Sequence, residues 1–115
     1  IEKAYDTNSE KFLVSLLKHE AQHTEDMKAY PGITTTELEY RAKLVELIYS
    51  SSPTLLEKFI SEADNSRVED SHSMASWRIK ENYKGAEKDD VSSIQKRARE
   101  LFVDSTKEME EKYLG

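Results

Sequence analysis

Apolar residues recur at three- and four-residue spacing along most of the chain, in runs too long for strands and separated by short clusters of Ser, Pro, Gly and Asp. This pattern predicts five helices. The first runs from about Glu10 to Tyr30, behind Thr7, Asn8 and Ser9, any of which can cap orphan backbone N–H groups, and Pro31 and Gly32 end it. The second opens on Thr34 with Glu37 three residues later, a capping-box pattern, and continues through about Tyr49 with Leu38, Ala42, Val45 and Ile48 in helical register. Pro53 suits the first position of a third helix, about 53 to 64, striped by Leu55, Leu56, Phe59 and Ile60. A fourth, about 67 to 83, carries Val68, Ala75, Ile79 and Tyr83 ahead of a stop at Gly85. The last begins near Asp90 and has the most regular stripe, from Val91 through Ile94, Ala98, Leu101 and Met109 to Tyr113.

Length and composition narrow this to one fold class. With 115 residues, three Gly and two Pro, the chain has too few turn residues for a β-sandwich or barrel and too little length for two cores. We expect residues 1–115 to be a single all-α domain, a compact bundle of about five helices, to which Ile1 to Asp6 add at most one short strand. Short connections make successive helices near-antiparallel neighbours, and Trp77 and the six Tyr are read as core. Ile1 stands where an initiator Met would, so a longer, cleaved or trimmed chain is expected.

Charge excludes some partners. Seventeen Lys and Arg against 23 Asp and Glu give a net charge of −6 with the signs interleaved, which disfavours binding to a phosphate backbone. No apolar run approaches the ~18 residues that cross a bilayer, and the N-terminus carries no signal-peptide pattern, so a soluble domain is expected, cytoplasmic in preference to exported. Without Cys, only His, Asp and Glu remain as metal ligands.

One constellation carries chemistry. His19, Glu20, Ala21, Gln22 and His23 form an HExxH pattern on the first helix. Its two His lie one turn apart and point the same way, so both imidazoles can reach one ion at the ~2.0–2.1 Å that zinc prefers. Glu20 sits about 100° around the helix, where a carboxylate reaches water beside the metal instead of the metal itself. The helical wheel puts Glu20 within an apolar arc of Leu13, Leu16, Leu17, Ala21 and Met27, which faces it inward and demands a partner for its charge. The bland alternative makes both His boundary residues and pairs Glu20 with a Lys or Arg of another helix. His72, in register with Val68, Ala75 and Ile79, is either a boundary His or an accessory group entering the cleft as an extra ligand or as a donor to an oxyanion.

HEAQH, followed by Asp26, a Pro-Gly turn and Glu37-Leu-Glu39-Tyr-Arg-Ala42, resembles the zincin metallopeptidases, and more narrowly their small gluzincin-like group. The resemblance covers roughly residues 12 to 48. It implies a zinc ion held by His19, His23 and a Glu of the next helix, with Ala three residues after that Glu, a spacing that Glu39 and Ala42 match. Two geometric criteria disagree on the third ligand: the wheel turns Glu37 to the apolar face and puts Glu39 on a strip with Lys43 and Glu46, while height along the returning helix levels Glu39 with His23. Glu39 is preferred and Glu37 kept in reserve. Asp26, one turn beyond His23, is either a hydrogen-bond acceptor that orients the imidazole or a solvated residue. The implied activity is hydrolysis of a peptide or amide bond in a peptide or protein substrate through zinc-activated water, with Glu20 as base and His72 assisting. The competing reading is a helical interaction module with incidental HExxH or a structural zinc.

Overall fold

The computed structural model describes the backbone of residues 7–66 and 69–114, with side chains from Ser15 onward in that span. It is an all-α bundle of five α-helices: α1 (Thr7–Ala29), α2 (Thr35–Tyr49), α3 (Thr54–Ser61), α4 (Ser71–Asn82) and α5 (Val91–Met109), the last running on into a π-helical turn at Glu110–Leu114. No strand occurs among the described residues, and Ile1 to Asp6 lie outside them. Nor is any described helix long and apolar enough to cross a membrane.

The local signals act as chemistry requires. Thr34 closes its capping box with Glu37, Asp90 caps α5, and Gly32 takes the positive φ of 90° that reverses the chain between α1 and α2. Two helices are shorter than the periodicity predicts. The third stops at Ser61, and the fourth starts at Ser71, because the Asp70 carboxylate accepts the backbone N–H groups of His72 (3.1 Å) and Ser73 (3.2 Å); Arg67 and Val68, at the expected start, lie outside the described residues.

The second helix runs through the middle of the bundle, packed by α1, α4 and α5, and is buried continuously from Leu38 to Leu44. Its apolar side chains Leu44 and Leu47 join Leu56, Ile79, Ala98 and Leu101 in one core, where each fully buried Leu or Ile contributes roughly 1.5–3 kcal/mol. The same run carries Glu39, Arg41 and Lys43 inside with it.

This corrects the expected orientation of α1. Its apolar arc faces solvent: Leu16, Leu17 and Met27 are exposed, as are Ala21 and Glu20, while the side chain of Leu13 lies outside the described residues. The inward strip is polar, with His19 and Asp26 buried beside Tyr30. The reason is the surface α1 must cover, since α2 meets it with charged groups that a stripe of Leu would leave without partners.

Asp26 shows the consequence and departs from both expected roles. It is 2 % exposed and touches no imidazole; its Oδ2 accepts Arg41 Nε at 2.9 Å and its Oδ1 accepts Gln22 Nε2 at 2.9 Å. Arg41 also donates from Nη1 to Ser105 Oγ (3.0 Å) and Thr106 Oγ1 (3.1 Å) and stacks 4.3 Å over the Phe102 ring. One guanidinium therefore ties α1, α2 and α5. Asp26→Ala leaves that cation buried without its counter-charge, and chemical denaturation is expected to show a loss of about 3–5 kcal/mol, whereas the double change Asp26→Leu with Arg41→Met is expected to recover most of it.

Candidate metal centre

The polar strip of α1 meets α2 at Glu39. His19 Nε2 lies 2.9 Å from Glu39 Oε1, and His23 Nε2 lies 3.3 Å from Glu39 Oε2. The three residues offer ligand atoms that all fall within 4.8 Å of one another. A tetrahedral zinc with bonds of ~2.0–2.2 Å holds its ligand atoms about 3.3 Å apart, close to the two imidazole–carboxylate separations here. The turn spacing of HExxH stacks the two imidazoles, ring centroids 4.6 Å apart, and the antiparallel return of α2 brings Glu39 level with them.

Two details fit a cation. His23 Nε2 is buried and has no hydrogen-bond partner: its approach to Glu39 lacks hydrogen-bonding geometry. An orphaned buried nitrogen of this kind costs about 1–3 kcal/mol, which a bound metal would remove. His19 is held from behind. Its Nδ1 donates to Glu46 Oε2 at 2.7 Å, and Glu46 Oε1 accepts Ser15 Oγ at 2.6 Å, the carboxylate-to-imidazole arrangement that aims a ligating nitrogen and raises its basicity. Burial lowers the His19 pKa, but the hydrogen bond and charge of Glu46, followed by those of Glu39, outweigh it and leave the group above its ordinary 6.5. A metal bound there would take the place of the proton on Nε2, and Glu46 would still hold Nδ1.

Glu20 stands at the other edge of the His23 ring, by the nitrogen that does not face Glu39. Its side chain is 64 % exposed, with Oε1 3.7 Å from His23 Nδ1, so it lies out of the core and beside the ligands. His72, also exposed, reaches in from α4 and places Nδ1 3.3 Å from Glu39 Oε1, so all three His of the chain gather on one carboxylate. A groove of about 410 Å3 adjoins the cluster, lined by His19, Glu20 and His72 together with Lys43 and Phe59. A second cavity, about 380 Å3 around Tyr40, Trp77 and Arg78, includes none of the HExxH residues.

Glu37 is not part of the cluster. Its carboxylate belongs to the capping box and also accepts Tyr113 Oη at 2.6 Å and Lys112 Nζ at 3.2 Å, fastening the C-terminal turn to α2. Tyr83 Oη donates to the Ile94 carbonyl in the core, and Tyr40 Oη accepts from Asn82 Nδ2, so neither phenol serves the centre. Glu46 fills the orienting role expected of Asp26. Its signal was available: Glu39 and Glu46 are seven residues apart on one helix, hence on one face. Ser15 had no such signal.

No family model, curated protein or solved structure matches the chain. The case for the centre therefore rests on its geometry. Glu46→Gln leaves all three ligand atoms in place and removes the charge behind His19; zinc affinity measured by competition with a chelating dye is expected to fall about 10- to 100-fold.

Proposed function

We propose that this domain is a zinc-dependent hydrolase of peptide or amide bonds, with His19, His23 and Glu39 as the ligands. The observation that carries the reading is the cluster of His19, His23 and Glu39, in which the buried His23 Nε2 has no hydrogen bond, with the HExxH carboxylate Glu20 3.7 Å from Nδ1 of the same imidazole on the wall of a groove. Zinc held there supplies a Lewis acid with a free coordination position, which polarises a carbonyl and acidifies water. Glu20 accepts the proton of the water that adds to the carbonyl carbon and hands it to the amine nitrogen as the C–N bond breaks, leaving a carboxylic acid and an amine. His72, already against Glu39 at the groove, is placed to donate to the oxygen that becomes negative in the transition state.

The second reading is a structural metal in an interaction module. The exposed apolar face of α1, with Leu16, Leu17 and Met27 in the open, favours it. Glu20 separates the two. Glu20→Gln is expected to bind zinc as the parent does and to lose about 10^2- to 10^4-fold in turnover of an unbiased library of short peptides, read by mass spectrometry. A parent protein that binds zinc and cleaves nothing in that library supports the structural role.

A further inference from the structure

The groove beside the ligands has a wall that hydrolysis does not use. Lys43 is 4 % exposed, one turn after Glu39 on α2, yet it lines the groove with His19, Glu20 and His72. A buried ammonium normally survives because it is paired and hydrogen-bonded. Here the stem is buried and the ammonium reaches the groove with one long ion pair. Its Nζ makes no hydrogen bond to a described residue; it lies 4.3 Å over the Phe59 ring, and its one ion pair among the described residues is a 3.9 Å approach to the half-exposed Glu62. Burial lowers its pKa, and Glu62, Glu46 and Glu39 oppose that through their charge. Lys58 lines the same groove, and its like charge adds to the demand for an anion there.

Of the carboxylates around the groove, three are committed or distant, and the fourth, Glu20, is exposed and lies 3.7 Å from His23 Nδ1. Glu46 is taken up by His19 and Ser15, and Glu39 by the imidazoles, while Glu62 is beyond hydrogen-bonding range. Lys43 brings a cation to a groove of small-ligand size beside the apolar Leu16 and Phe59, where a ligand can reach its ammonium.

We propose that Lys43 anchors a substrate carboxylate, so that the substrates are short peptides or acyl amino acids with a free C-terminal carboxylate next to an apolar side chain. This rests on the hydrolase reading for the word substrate, but the anchor itself is a binding property and is tested as one. Calorimetric titration of the full chain with N-acetylphenylalanine and with N-acetylphenylalaninamide, with zinc and without it, is expected to show the acid binding about 10- to 100-fold more tightly than the amide. Lys43→Met and Lys43→Gln are expected to abolish that preference, with zinc uptake unchanged, and Lys43→Arg to keep most of it.

Equal binding of acid and amide by the parent protein overturns the proposal. So does a preference that survives in a folded Lys43→Met or Lys43→Gln protein, since zinc itself would then be reading the carboxylate. In the zinc-free protein the preference is expected to persist in weaker form, because Lys43 acts without the metal. A protein that takes up no zinc yet still prefers the acid keeps the anchor and loses the hydrolase, so the two failures are distinct.

Discussion

Everything in this bundle follows from one constraint: its central helix carries three charged side chains into the interior. Glu39, Arg41 and Lys43 sit in a run of α2 that is buried on every side. An unpaired buried charge costs several kcal/mol, so each neighbour is chosen by the partner it brings. Asp26 answers Arg41, His19 and His23 answer Glu39, and both answers come from the same strip of α1. Supplying them turns Leu16, Leu17 and Met27 to solvent. They are already partly covered, at 43 %, 69 % and 54 % exposed, so burying the rest would contribute well under the roughly 1.5–3 kcal/mol of a full side chain each, against about 3–5 kcal/mol for each charge left unmatched.

The same constraint prepares the candidate centre. His23 Nε2 faces the Glu39 charge at 3.3 Å without a hydrogen bond, and His19 is braced from behind by Glu46 and Ser15. All of these groups stand on helices, whose backbone hydrogen bonds are internal, so their positions do not depend on loop conformation. Glu20 and His72 face the groove and are exposed; the ligands are mostly buried. That division separates what must stay fixed, the ligand geometry, from what must meet a substrate. Lys43 is the exception, a side chain buried along its stem whose ammonium reaches the groove wall.

Much of the fold was legible because its signals are local. A capping box at Thr34, a glycine able to take positive φ after Pro31, and a three-to-four spacing of apolar residues act through the backbone within a few residues, and each appears where the chain implies it. HExxH was legible for the same reason, since its two His are one turn apart whatever α1 packs against. Errors began where a neighbour's surface decided. The wheel of α1 ranks faces by hydropathy alone and placed Glu20 inside, whereas Glu20 lies outside beside the ligands. Asp26 was weighed against a nearby imidazole or water, and its partner is a guanidinium fifteen residues away.

By itself, the sequence determined that the chain is helical, where its helices begin and end to within a few residues, and that any metal must be held by imidazole and carboxylate, because there is no Cys. These follow from backbone capping, periodicity and side-chain chemistry, which need no distant contact. Only the tertiary structure decided that Glu39 and not Glu37 meets the histidines, that Glu46 stands behind His19, and that a lysine lines the groove. Those facts depend on how α1 and α2 are rotated about their own axes. That rotation is set by pairing buried charges across the interface, a balance between partners that no single helix contains.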